Sequence, residues 1–294
     1  MNPIERAAAL IRAGRLVAFP TETVYGLGAN ALDAEAVARI FAAKNRPRTS
    51  PVIVHVASVE MARDLASEWP PAAETLARRY WPGPLTLVLP KQPRIPDIVT
   101  AGLPTVGLRM PAHPLALELI RASGVPIAAP SANRFTGLSP TLAEHVAELL
   151  ADFVLDGGPA KVGIESTVLS LAGEPCLLRP GVIPQPEFEA LIGPLGPASP
   201  AGEGAHAAPG MHPRHYRPNT PLYLLSPDAP PPAGRGTWLR LGCGIPADPL
   251  AYAAALYERL HQLDRQGLDW IAVEPPPDTP EWAGVLDRLR RASG

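Results

Sequence analysis

The sequence predicts an α/β chain with a second, smaller α/β unit at its C-terminal end. Three observations carry this. Over residues 1–183 short apolar runs alternate with helical patterns, an order that builds a mixed sheet with packed helices, α/β or α+β. Residues 184–220 are crowded with Pro, Gly and Ala and read as a linker. Beyond them PLYLL, TWLRL and WIAV alternate with helical stretches near 249–266 and 280–291, a small β/α unit over residues 221–294.

Taken in order, residues 1–15 read as an amphipathic helix with Ile4, Ala8 and Ile11 at helical spacing. The longer apolar core of a signal peptide is missing. Residues 15–20 read as a strand. Asp33 can cap a helix running to about Lys44, with Val37, Ile40 and Phe41 on one face. Residues 51–56 form a short apolar strand interrupted by His55. Further strands are expected at 85–89, 105–110, 125–129 and 153–155, and helices at 114–121 and 141–150. The second helix has a start signal in Ser139, Pro140 and the Thr141–Glu144 spacing of a capping box. Residues 165–179 read as a hairpin around Ala-Gly-Glu-Pro.

Composition narrows the function. Apolar residues make up 46% of 294, enough for a sizeable core, and no apolar run approaches the ~18 residues of a membrane span. A formal charge of −2 gives no overall basic footprint for nucleic acid. The two cysteines, Cys176 and Cys243, lie far apart and form no C-x-x-C pair. No disulfide is expected, and a reducing, cytoplasmic setting is the default.

The stretch FPTETVYGLGANA contains Gly26-Leu-Gly28-Ala-Asn-Ala31, the G-x-G-x-x-A form of a dinucleotide loop. That reading needs an acidic residue about 20 positions on, where this chain has the basic Lys44-Asn-Arg46-Pro-Arg48. The other reading is that the glycines allow tight turns. Neither explains Thr21-Glu22-Thr23 beside Tyr25, a polar cluster at a strand end, where α/β proteins place ligand groups. Lys44 and Arg46 either complement a helix dipole or clamp a triphosphate, with Ser50 adding a donor. His55 is a core histidine or a catalytic base. Arg109, inside an apolar strand, needs an anion: a structural carboxylate or a substrate's. Ser131, Asn133, Gly137 and Ser139 form an ordinary β-to-α loop or a phosphate site. Glu165-Ser166-Thr167 opens a strand that Arg179 closes. No nucleophile–base pair, G-x-S-x-G, H-E-x-x-H or metal cage is readable. Together these residues suit a nucleotide and a small anionic second substrate.

PTETVYGLG, K-x-R-P followed by SPVIVHV, TVGLRMP, APSAN with SPT, and GIESTVLSL with LLRPG occur in that order. This set resembles the YrdC-like threonylcarbamoyl-adenylate synthases over about residues 10–183. PGMHPRHYRP and the unit after it resemble the two-domain form. The resemblance implies an open, twisted mixed sheet with a concave cavity, plus a small Rossmann-like α/β C-terminal domain. It implies a nucleotidyltransferase that makes threonylcarbamoyl-AMP and pyrophosphate from L-threonine, bicarbonate or CO2, and ATP with Mg2+. A transfer complex would then modify a tRNA adenosine beside the anticodon. By motif position, ATP binding falls on Lys44, Arg46, Ser50, Thr105, Ser131, Asn133, Ser139 and Arg179, with His215, Tyr216 and Arg214 over the nucleotide. Threonine binding falls on Thr23, His55, Arg109, Ala129 and Ser166, with Tyr25 lining the same pocket. Lys44 and Arg46 carry the catalytic role, no protein side chain is expected to hold the metal, and linker 205–218 would close as a lid. The chain departs from the family at Pro213, commonly an aromatic, and in the shortness of its last domain. The competing class is an RNA-binding module without ATP turnover.

Overall fold

A computed structural model describes residues 2–197 and 215–293. Within them, short strands assemble a mixed nine-stranded sheet. The strands are β1 (Val17–Phe19), β2 (Gly26–Asn30), β3 (Val54–His55), β4 (Leu85–Pro90), β5 (Thr105–Arg109), β6 (Ile127–Ala128), β7 (Phe153–Val154), β8 (Thr167–Ser170) and β9 (Cys176–Arg179). Their order across the sheet is β7-β1-β2-β6-β3-β5-β4-β8-β9. Three pairs are parallel (β1 with β7, β3 with β5, β4 with β8) and the rest are antiparallel. This is the mixed sheet expected.

Helix α1 (Pro3–Arg12) starts at a capping box between Asn2 and Glu5 and buries Ile4, Ala7, Ala8 and Ile11. Asp33 caps α2 (Ala34–Lys44) as expected, accepting from the Glu35 and Ala36 amides. Three helices that periodicity did not suggest follow: α3 (Val59–Leu65), α4 (Pro71–Tyr80) and the single turn α5 (Asp97–Thr100). Then come α6 (Pro114–Ser123), ended by Gly124 at φ 69°, and α7 (Gln185–Ile192). Helix α7 lies inside the stretch read as linker. Its Phe188 is fully buried and meets the Tyr80 ring edge-on at 5.5 Å. Phe188, with Ile192 and Leu195 packed on the same core, folds a segment whose composition says loop.

Two expectations fail here. Residues 26–30 are strand β2, paired antiparallel to β1, not a turn. Neither Gly26 nor Gly28 takes a positive φ. A Cβ on Gly28 would lie 2.8 Å from both Ile127 and the Phe19 ring, so the glycine makes room for an aromatic neighbour. Residues 141–150 are not a helix but a single turn of 3-10 helix, Ala143–His145. Tertiary contacts hold this segment open. The Pro140 carbonyl accepts from the Tyr25 amide, Ser139 Oγ donates to Glu165, and the His145 ring stacks on His261 at 3.9 Å.

The last unit is a four-stranded parallel sheet, order β10-β13-β11-β12, from β10 (Leu222–Leu224), β11 (Gly236–Leu241), β12 (Gly244–Ile245) and β13 (Trp270–Val273). Helices α8 (Pro249–Asp264) and α9 (Ala283–Ser293) pack on it. Its apolar core does not stop at the unit's edge: Val24, Leu138 and Ile164 of the first unit join Leu222, Leu256, Tyr257 and Ile271 in one cluster.

Candidate active site

Several strand ends and the loops after them meet at one cavity of about 50 Å³. Thr21, Thr23 and Val24 come from the β1–β2 connection, and Arg46 from the turn after α2. His55 ends β3, Arg109 ends β5, and Ala129 to Ser131 follow β6. Glu165 and Ser166 precede β8, Arg179 ends β9, and His215 with Tyr216 completes the lining. Separate strand ends thus converge at one edge of the mixed sheet, where α/β proteins place ligand groups.

The charges around the cavity are buried and paired. Arg109 is 4% exposed and meets Glu22 Oε1 at 2.8 Å, while Glu22 Oε2 accepts from the Ala112 amide at 2.9 Å. Arg109 therefore has the structural carboxylate partner that one reading required, and it also lines the cavity. Burial, and then the Arg109 charge, push the His55 pKa down to about 3. His55 is therefore neutral near pH 7 and suits binding or orienting rather than cycling a proton there. Arg46 donates to Ser50 Oγ and the Pro51 carbonyl, both at 3.0 Å. Burial lowers its pKa to about 10, so it stays cationic at neutral pH. Arg179 grips the Ser166 carbonyl through Nε at 3.1 Å and Nη2 at 2.9 Å, and Ser166 Oγ at 3.2 Å. Ser166 Oγ also shares a hydrogen bond with Thr86 at 2.7 Å.

Of the residues named from sequence, Thr23, Arg46, His55, Arg109, Ala129, Ser131, Ser166, Arg179, His215 and Tyr216 line this cavity. Four others stand one step behind it. Ser50 holds Arg46, Ser139 holds Glu165, and Asn133 braces its own loop, accepting from Ser131 Oγ and donating to the Gly137 carbonyl. Lys44 is the fourth, and it corrects the phosphate-clamp expectation. Its Nζ donates to the carbonyls of Ser131, at 2.6 Å, and Asn133, with Asn133 Oδ1 at 3.5 Å. Three oxygens match the three donors of an ammonium group, so Lys44 braces the Ser131–Asn133 loop. Two residues lie elsewhere. The Tyr25 hydroxyl points away to Asp156 and the Gly158 carbonyl. Thr105 stands four residues before Arg109 on the same strand face, about 13 Å away at strand rise, and lines a separate cavity with Thr86 and Val168. Arg214, Pro213 and most of linker 205–218 fall outside the described residues.

Sequence reasoning missed Glu22 and Glu165, buried acids that neutralise buried arginines. The signal was present: each sits in a polar triplet at a strand end, and a buried arginine requires a carboxylate. Tyr216 is another special position, with φ 63° and its ring fully buried. A non-glycine residue held there marks local backbone strain of the kind found at functional sites. Among the described residues no group of three His, Cys, Asp or Glu side chains could hold a metal ion, and no helix is long and apolar enough to cross a membrane.

Comparison with known proteins gives a consistent picture. The family described as "Telomere recombination" (Sua5/yciO/yrdC) matches residues 9–181, and one described as "Threonylcarbamoyl-AMP synthase, C-terminal domain" matches residues 183–294. A Pyrococcus abyssi protein named threonylcarbamoyl-AMP synthase is 46% identical, covering 99% of this chain and 94% of its own length. One from Bacillus subtilis with the same name is 44% identical, covering 99% and 93%. The crystal structure of P. abyssi Sua5 complexed with L-threonine superposes with a TM-score of 0.90 at 42% identity, covering 99% of this chain and 94% of that one.

Proposed function

The chain belongs to the Sua5/yciO/yrdC family in its two-domain form, and from that premise we propose that it makes threonylcarbamoyl-AMP from L-threonine, bicarbonate or CO2, and ATP. The observation that carries this is one cavity lined by three arginines, Arg109, Arg46 and Arg179; we assign the first to a small carboxylate and the other two to phosphates. L-Threonine seats against Thr23, His55, Ala129 and Ser166, with its carboxylate on Arg109, whose guanidinium Glu22 already orients. Two parallel N–H donors suit a carboxylate. The β- and γ-phosphates lie toward Arg46 and Arg179, with Ser131 beside them.

The threonine amine attacks CO2 and loses a proton to solvent, or attacks bicarbonate with loss of water, and either route gives N-carboxythreonine. Its carboxylate attacks the ATP α-phosphorus, and pyrophosphate leaves. No covalent enzyme intermediate is needed, so the chain contributes positioning and charge stabilisation. Mg2+ carried on the ATP phosphates supplies further neutralisation. The product passes to a transfer enzyme complex that modifies tRNA, all within the cytoplasm.

At about 50 Å³ the cavity is far below the several hundred Å³ of a ligand pocket. His215 and Tyr216 line it, and their movement would make room for ATP. Their return would keep water from the labile carboxythreonine.

The test is pyrophosphate release with ATP, Mg2+, bicarbonate and L-threonine, each omitted in turn. Release that needs all four, and that serine does not support equally, is expected. Salt-dependent tRNA binding with no ATP turnover would return the reading to an RNA-binding module.

A further inference from the structure

Arg288, on α9 of the C-terminal unit, is the largest fully buried side chain in the structure, 1% exposed. A guanidinium reaches such a place only when its donors are met. Three of the groups that meet them belong to the first unit. Nε donates to Glu165 Oε2 at 2.7 Å, Nη2 to the Glu165 carbonyl at 3.1 Å, and Nη1 to the Pro180 carbonyl at 2.9 Å. Tyr257 on α8 adds a hydrogen bond to Glu165 Oε2 at 3.2 Å. Glu165 lines the substrate cavity and precedes Ser166, and Pro180 follows Arg179. The C-terminal unit therefore grips both halves of the Ser166–Arg179 contact.

The backbone packing agrees. A Cβ on Gly163 would lie 2.3 Å from the Ala253 carbonyl of α8, and one on Gly284 of α9 would lie 2.4 Å from the Gly181 carbonyl. Both helices thus sit against the chain on either side of Ser166 and Arg179 with no room for a methyl group. The same two side chains also seat the residue that closes the cavity: Arg288 lies over the Tyr216 ring at 5.3 Å, and the Tyr257 ring is 5.9 Å away.

Charge gives this arrangement a consequence for binding. Burial pushes the Glu165 pKa up, but the Arg288 and Arg179 charges and the Ser139 hydrogen bond outweigh it, and the group stays an anion. Without Arg288 that anion would face a cavity meant for a carboxylate and a triphosphate.

We propose that Arg288 and Tyr257 are positioning residues for the synthase reaction, holding Glu165, the Ser166–Arg179 contact and the Tyr216 ring in place, so that the C-terminal unit is an outer wall of the active site. The proposal rests on the functional reading above. Arg288→Gln, Tyr257→Phe and the double variant Glu165→Gln/Arg288→Gln test it. The measurements are kcat and KM for L-threonine and for ATP, hydrogen exchange at residues 163–167, and thermal unfolding.

Arg288→Gln is expected to raise both KM values roughly tenfold or more and to speed exchange at 163–167, through repulsion by the unpaired carboxylate. The double variant removes that charge and is expected to bring KM back to within about threefold of wild type. Tyr257→Phe keeps the ion pair and is expected to raise KM about threefold, with its melting temperature lower by only a few degrees. A lower melting temperature in Arg288→Gln with unmoved KM, or no rescue in the double variant, overturns the proposal. If Arg288→Gln fails to fold, Tyr257→Phe decides, and unchanged KM and exchange there overturn it. Absence of wild-type turnover overturns the functional reading and this proposal with it. Wild-type turnover with unmoved variants overturns this proposal alone.

Discussion

Arg109 and Arg288 are both buried and both paired to a buried glutamate, yet Arg109 meets Glu22 from within the nine-stranded unit and Arg288 meets Glu165 from the C-terminal unit. The first pair forms as the sheet forms, because Glu22 follows β1 and Arg109 ends β5. The second requires two units to dock. One wall of the cavity, carrying Thr23, His55 and Arg109, is thus supported by its own sheet. The other, carrying Glu165, Ser166 and Arg179, leans on helices α8 and α9. Site geometry and domain docking are one event on that side, and two on the other.

The largest blow to this contrast is Arg109→Ala. It leaves Glu22 buried without its partner, a loss expected to lower unfolding free energy by about 3–5 kcal/mol. Urea unfolding measures the loss, and titration calorimetry should show L-threonine binding gone. Wild-type threonine affinity in this variant would remove Arg109 from the carboxylate site.

Glycine substitutions sharpen the contrast further. Gly163→Ala would place a Cβ 2.3 Å from the Ala253 carbonyl at a φ of +79°, and Gly28→Ala would place one 2.8 Å from Phe19 and Ile127. Each is expected to cost roughly 1–3 kcal/mol or more by overpacking. Gly163→Ala should also split thermal unfolding into two transitions by prising the units apart, whereas Gly28→Ala should keep one. Two transitions in both, or in neither, would show the walls to be equally coupled.

Acid should weaken both walls. The His55 pKa lies at about 3 in the fold against 6.5 in the free side chain. Above 6.5 it is neutral in both states. Below that the unfolded chain binds a proton that the folded chain refuses, so stability falls as pH drops from 6.5 toward 3, by at most about 1.4 kcal/mol per pH unit. His145, stacked on His261 across the units, is pushed down to about 4 by burial and then by the His261 charge, and acts in the same direction. His55→Gln should flatten the fall of the melting temperature between pH 6.5 and 5. An unchanged slope would show that His55 is not the proton-refusing group.

The smallest effect belongs to Ser50→Ala, which removes one hydrogen bond from Arg46. About 0.5–1.5 kcal/mol of stability is expected to go, with KM for ATP rising several-fold and KM for L-threonine unmoved. Equal rises in both would place Arg46 on the threonine side.

Legibility tracked locality. Helix α2 was readable because its cap, Asp33, and its apolar face lie within one stretch of chain. The hairpin of β8 and β9 was readable for the same reason. Strand β2 was not, because its glycines answer to Phe19 and Ile127 rather than to their neighbours in sequence. The false helix at 141–150 carried valid local signals, which Tyr25, Glu165 and His261 overrode from afar. At the site, polar residues at strand ends marked positions that the fold brings to one cavity. The local pattern could not say which way a side chain points, and so Lys44 and Tyr25 looked like ligands while Glu165 did not.

By itself the sequence determined the α/β class, the first unit's strand-end polar clusters, and a motif order that assigns the family. These follow from periodicity and residue type, which each segment carries alone. Tertiary structure decided which cations face the cavity, which carboxylates neutralise them, and that α8 and α9 complete one wall. Burial makes that decision. A guanidinium or carboxylate removed from water must find its partner wherever the fold brings one, and for Glu165 that partner, Arg288, lies 123 residues away along the chain.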